Sequence, residues 1–223
     1  MKIIIVEGCD NLGKTTLINN LKNHFDSKYN VIVKHSGKPS NSDMDALDEQ
    51  RMTFLSETME LFNLKQSESD VTKEYLVIYD RFVQGEYVWG SIYRGYSIDD
   101  IKNRCVLPVM KNLTFSIGQE NIISILLDAS AHFIYYNDDG KSLYSDNAMD
   151  KMIELIKYQR TLFKDVMTNF ENYYCFKNNI IYNVQDESSI YTYGDFIFKS
   201  ENKICNDIIK LINEKINLDN YED

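Results

Sequence analysis

Residues 2–16 read Lys2-Ile3-Ile4-Ile5-Val6-Glu7-Gly8-Cys9-Asp10-Asn11-Leu12-Gly13-Lys14-Thr15-Thr16. The unbroken apolar run Ile3 to Val6 has the pattern of a strand buried on both faces. Gly8 to Thr15 then satisfies G-x-x-x-x-G-K-[ST], and Leu17, Ile18, Leu21 and Phe25 follow at helical spacing. Strand, glycine-bearing turn and helix in that order is the context in which this pattern cradles phosphate. Gly8 and Gly13 let the backbone turn tightly, so that N–H groups through Asn11, Leu12, Gly13 and Thr16 can face an anion beside the positive helix N-terminus. The Lys14 ammonium would reach the β and γ phosphates of a nucleoside triphosphate, and the Thr15 hydroxyl would ligate Mg2+.

Working outward, Val31 to Val33 is a second β-branched run. After a polar loop from His35 to Asp43, Leu47, Phe54, Leu55, Thr58 and Phe62 trace one side of a helix. Tyr75 to Tyr79 and Ile122 to Leu127 read as buried strands, each stopping at a carboxylate, Asp80 and Asp128. Between them lies an aromatic, glycine-punctuated stretch from Gly85 to Tyr96, then a helix from Ile98 to Leu113 that Pro108 bends or restarts. Met152, Ile153, Ile156, Phe163, Val166, Met167 and Phe170 mark a helix over 147–170. A fifth strand over Asn179 to Val184 and a closing helix over Lys203 to Ile216 complete the alternation. Alternating strands and helices with buried strands predict an α/β fold, a five-stranded parallel sheet covered on both faces and joined by right-handed crossovers. No linker or repeat divides the chain, so residues 1–223 read as a single domain.

Composition narrows the partners. With 34 acidic and 24 basic residues the chain carries a formal charge of -10, which disfavours extended contact with nucleic acid. No apolar run reaches the roughly 18 residues of a membrane span, and no signal sequence is evident, so the expected location is the cytoplasm. The four cysteines stand far apart without a C-x-x-C pair, which predicts neither a zinc site nor a disulfide framework. The five arginines, Arg51, Arg81, Arg94, Arg104 and Arg160, therefore carry particular weight as local anion sites.

A phosphate cradle alone does not separate switch, motor and transferase. No N-K-x-D run for guanine recognition occurs. A small-molecule kinase needs a second phosphate site facing the first, and Asp80-Arg81 provides one: the carboxylate at a strand end suits magnesium, and the arginine fork suits an acceptor phosphate.

Val6 to Thr16 resembles the E-G-x-D-x-x-G-K-T-T motif of the thymidylate kinase family, and Tyr79 to Phe82 resembles its D-R-[YF], about 65 residues later. The order of elements is similar over almost the whole chain. The resemblance implies a three-layer P-loop kinase fold with a lid at about residues 135–146. It also implies transfer of the ATP γ-phosphoryl group to a nucleoside monophosphate, with Mg2+ as cofactor. Carried over by matched position, Asp10 would bind the acceptor sugar hydroxyl, Arg81 its phosphate, and Phe82 would lie beside the base. Family members are commonly homodimers, and the resemblance extends to that.

The departures from the family pattern define what must be sought elsewhere. The family's catalytic arginine stands in the phosphate loop or the lid, but here the loop position is Asn11 and the lid stretch offers only Lys141, a candidate catalytic cation. Arg160, on the following helix, either reaches the phosphates or forms an ion pair on its own surface. Arg51 interrupts the apolar side of its helix and is a candidate for acceptor phosphate. Trp89 stands where the family has tyrosine, and with Tyr93 and Arg94 it is a candidate for stacking on, and pairing with, a planar acceptor. The leading reading is a kinase of dTMP or a related, 5-modified dUMP. A kinase of a deoxynucleoside or of a modified base hydroxyl in DNA is the second, and a catalytically weak nucleotide-binding regulator the third.

Overall fold

Because Ile3 to Glu7 is buried on both faces, its strand needs neighbours on both sides, and it lies at the centre of the sheet. The computed structural model describes residues 1–36, 44–67, 72–137, 149–168, 177–186, 197–216 and 218. The strands are β1 (Lys2–Glu7), β2 (Asn30–His35), β3 (Tyr75–Asp80), β4 (Ile122–Asp128) and β5 (Asn179–Asn183). Their order is β2-β3-β1-β4-β5, every pair parallel. The helices are α1 (Lys14–Phe25), α2 (Met44–Gln66), α3 (Val83–Tyr93), α4 (Ile98–Asp100), α5 (Leu107–Ile117), α6 (Ala131–Tyr136), α7 (Met149–Thr168) and α8 (Glu201–Ile216).

Topology and handedness decide which face each helix covers. The β1-to-β2 connection runs one way along the sheet and the next three run the other way, so right-handed crossovers put α1 on one face and α2 to α7 on the opposite one. After β5 the chain returns to the first face, where α8 packs beside α1. The buried stripe of α7 consists of Met152, Ile153, Ile156, Leu162, Phe163, Val166 and Met167. Each such side chain contributes about 1.5–3 kcal/mol on burial.

Two sequence expectations are corrected. On α2 the inward residues are Leu47, Phe54, Thr58 and Leu61, while Phe62 is 41% exposed. The reason is that α2 packs on α5, where the Thr58 hydroxyl meets Asn112 at 2.6 Å, so its inward face turns toward a helix as well as the sheet. Secondly, the helix expected over 98–113 extends to Ile117 and contains a π-helical segment, Ile101–Val106, between α4 and α5. Pro108 has no N–H for the Arg104 carbonyl one turn back, and the wider segment ends just before it, with Leu107 N–H bonded to Lys102 O. The Arg104 carbonyl instead faces Arg51 Nη1 at 3.4 Å. Cys9, Cys105 and Cys205 are free thiols, and Cys175 lies outside the described residues.

Candidate active site

The carboxyl ends of β1, β3 and β4 meet at one edge of the sheet, and register fixes what stands there. Val6 pairs with Asp80, and Glu7 with Leu126. One step further, a Cβ on Gly8 would stand 2.6 Å from the Leu127 carbonyl oxygen, and its φ of 142° is one that side chains rarely adopt. Only glycine lets the loop pass this close to β4. Asn11 and Gly13 also have positive φ, so the loop from Gly8 curls back over the start of α1. Leu12 is buried and anchors the curl in the core, whereas Thr15 and Thr16 are exposed on the first turn of α1.

Lys14 is buried beneath this curl. Its Nζ donates to the carbonyls of Gly8 at 3.0 Å and Cys9 at 2.6 Å, so the ammonium is held across the mouth of the loop. Burial, and then the nearby Arg81, lower its pKa, which raises the gain from an anion arriving beside it. Cys9 is buried under the same loop, and burial pushes its thiol up to about 12.

At the end of β3, Asp80 Oδ2 stands 3.5 Å from Thr15 Oγ1 and 3.3 Å from His35 Nδ1. A hydroxyl and a carboxylate oxygen beside a phosphate loop are a donor set that fits Mg2+, which takes oxygen ligands and keeps several waters. Thr15 and Asp80 would hold it.

Arg81 follows in the left-handed region at φ 68°, a costly conformation for a non-glycine residue. Its N–H bonds to Val6 O at 3.0 Å, which turns the side chain toward the phosphate loop. There the guanidinium pairs with Asp10 and lies over the Trp89 ring, 5.3 Å from its centroid. Trp89 stacks on Tyr93 at 5.7 Å, and the Tyr93 hydroxyl accepts from Gln159 at 3.0 Å. Burial, and then Asp10, push the Tyr93 phenol up to about 12. Asp10, Arg81, Trp89 and Tyr93 thus form one assembly beside Lys14.

Other expected site residues are placed differently. Phe82 is buried between Tyr79 and Phe54, with ring centroids 4.5 and 5.0 Å away. Arg94 forms a buried pair with Glu86 and lies over the Tyr96 ring. Arg51 is 3.4 Å from Asp48, which also pairs with Arg104 at 2.7 Å. Arg51 and Arg94 both act on the buried thiol of Cys105, so they share one cluster between α2, α3 and the π-helical segment. Lys141 lies outside the described residues, as does the lid beyond Asn137.

Three participants were not singled out from sequence. Glu7, fully buried, accepts from the N–H groups of Phe82 (2.8 Å) and Gly85 (3.1 Å), tying the phosphate loop to the start of α3. Among the described residues its second oxygen has no hydrogen-bond partner, and burial raises its pKa to about 7 against the pull of those N–H groups, Arg81 and Lys14. His35 is the neighbour of Asp80 named above, a contact that arises only from β2-to-β3 register. Lys164 stands four residues after Arg160 on α7, and both bind Asp128. That i,i+4 spacing was the available signal.

A parallel sheet with this loop at the end of its central strand, and a carboxylate at the end of the adjacent one, is the arrangement of the P-loop class of proteins. No family model matches the chain. The thymidylate kinase of Mycoplasma genitalium is 29% identical over 129 residues, covering 50% of this chain and 60% of that relative. Among solved structures, the YorR protein of Bacillus subtilis, in complex with phosphorylated GDP, superposes with a TM-score of 0.57 at 20% identity, covering 95% of each chain. The thymidylate kinase of Candida albicans gives 0.53 at 13% identity, covering 97% of this chain and 92% of that one. In fold the chain is similar to these kinases, and over about half of its length its sequence is similar to a thymidylate kinase, of which it spans 60%.

Proposed function

We propose that this protein transfers the γ-phosphoryl group of ATP to a deoxynucleoside monophosphate, dTMP or a related 5-modified dUMP, giving ADP and the nucleoside diphosphate. One observation carries the reading. A second cation of phosphate-binding type, Arg81, is fixed beside Lys14 and faces the same loop, held by Asp10 on one side and the Trp89 ring on the other. The similarity to thymidylate kinases supports the acceptor class.

In the reaction the bond from the γ-phosphorus to the β–γ bridging oxygen breaks, its electron pair stays on ADP, and a bond forms to an acceptor phosphate oxygen. Little covalent chemistry falls to the protein, which works by position and charge. Lys14 leaves the Gly8 and Cys9 carbonyls for the β and γ phosphate oxygens. Arg81 exchanges the Asp10 carboxylate for the acceptor phosphate, and the freed Asp10 accepts a hydrogen bond from the acceptor sugar. Mg2+ held by Thr15 and Asp80 would neutralise charge on the β and γ oxygens. Trp89 and Tyr93 give a planar acceptor a stacking surface and exclude water from it.

A deoxynucleoside acceptor is the second reading, favoured by the engagement of Arg51 with Asp48 and of Arg94 with Glu86. The test is ADP release with Mg-ATP against all deoxynucleoside monophosphates, 5-hydroxymethyl-dUMP, free deoxynucleosides and oligonucleotides bearing a modified base. Turnover with a pyrimidine monophosphate is expected. Turnover confined to nucleosides or oligonucleotides would move the acceptor to the second reading, and ATP binding without any turnover would leave a regulator.

A further inference from the structure

At the β4 side of the phosphate loop one carboxylate holds two cations. Arg160 donates to both oxygens of Asp128, from Nε at 2.7 Å and Nη2 at 3.1 Å, and Lys164 reaches Oδ2 at 2.7 Å. Asp128 follows Leu127, whose carbonyl is the atom that Gly8 abuts, so the cluster stands at the carboxyl end of β4, next to the start of the phosphate loop. The charges of Asp128 and Arg160 are both felt at Cys9, inside that loop. Either cation alone would neutralise Asp128, and Arg160 Nη1 makes no hydrogen bond among the described residues.

The geometry points to Arg160 as a catalytic residue that leaves Asp128 for the γ-phosphoryl oxygens of bound ATP, while Lys164 stays behind and keeps Asp128 paired. The inference rests on the kinase reading. Arg160 makes and breaks no covalent bond. The γ-phosphorus passes from the bridging oxygen of ADP to the acceptor oxygen as above, and the guanidinium neutralises charge on the oxygens that travel with it. Asp128 is then a positioning residue that competes with the phosphate for Arg160. That competition gives the two residues opposite effects on the same equilibrium, which a structural ion pair cannot do.

Calorimetric titration with Mg-ADP and with a non-hydrolysable Mg-ATP analogue needs no acceptor, so it is independent of whether the proposed acceptor is right. Arg160→Ala is expected to weaken the analogue about 30-fold and ADP less than threefold. Asp128→Asn is expected to tighten the analogue several-fold and leave ADP unchanged. With whichever acceptor turns over, Arg160→Ala should lower kcat about 100-fold with little change in acceptor KM, and Arg160→Lys should recover part of it. Thermal melts establish that each variant is folded, and Arg160→Gln replaces the alanine variant if it is not. Equal effects of Arg160→Ala on ADP and the analogue, no effect on either, or losses of the same sign from Asp128→Asn would overturn the assignment. Failure of every acceptor with these binding differences intact would overturn only the kinase reading.

Discussion

Arg81 and Arg94 are both paired with a carboxylate and both lie over an aromatic ring, yet their situations are opposite. The Arg81 and Asp10 side chains keep 24% and 27% of their surface exposed, so either can exchange its partner for a ligand or water at small cost. The Arg94 and Glu86 side chains keep 10% and 6%, and there a lost partner leaves a stranded charge. A cation beside a substrate site is available for substrate only where its partner is also within reach of solvent. On the proposed reading the phosphate-loop side of the sheet edge does the binding, and the α2, α3 and π-helical side holds the wall in shape.

Substitutions that separate binding from architecture test this contrast most directly. Lys14→Ala should lower kcat a thousandfold or more, worth about 4 kcal/mol of transition-state stabilisation, with a melting temperature close to that of the unmodified protein. Steady-state rates and a melt on the same sample decide it, and a large loss of stability would put Lys14 in the architecture. Arg94→Ala should do the reverse. Denaturant unfolding is expected to show about 3–5 kcal/mol of lost stability from the stranded Glu86, much of it restored when Glu86→Gln is added. A fully stable Arg94→Ala protein with a raised acceptor KM would erase the distinction between the two arginines.

Glu7 bridges the two sides and adds a dependence on pH. Its folded pKa, about 7, lies above the ordinary value of 4.5, so its contribution to stability is fully present below about pH 4.5 and is lost as pH rises through 7. Arg81 and Lys14 are the charges that act on it. Glu7→Gln should remove that slope and gain about 3 kcal/mol relative to the unmodified protein at pH 8. Unfolding free energies from pH 5 to 8 measure it, and parallel curves would show that Glu7 does not titrate there. Arg81→Ala should raise acceptor KM about 50-fold, roughly 2 kcal/mol, and change ATP KM less than threefold. An unchanged acceptor KM would take Arg81 out of the acceptor site.

The sheet and the phosphate loop were legible because their signals are contiguous. Four apolar residues, a glycine pattern and a helical period specify β1, the turn and α1 without reference to the rest of the chain. Arg81 was legible because it directly follows a strand end. Pairing that depends on tertiary approach was not. Arg94 meets Glu86 around the end of α3, and Arg51 meets the Arg104 carbonyl only because Pro108, the second residue of α5, lies beyond a widened π-helical segment. The period that assigned Phe62 to the core was sound as a helix signal, but it could not tell which helix or sheet α2 would face.

The central place of β1 has a consequence for how the chain is born. Both neighbours of β1 are distant in sequence, β3 beginning at Tyr75 and β4 at Ile122, so no local hairpin can shelter it. At ribosomal rates of about 5–20 residues per second, the Ile3-to-Val6 segment emerges on the order of ten seconds before β4 can pair with it. During that interval a short, uncharged, β-prone ribbon stands open to other chains. The phosphate loop passes against the Leu127 carbonyl, so its wall on that side is completed only when β4 arrives, and on the proposed reading the nucleotide site is among the last features the nascent protein acquires.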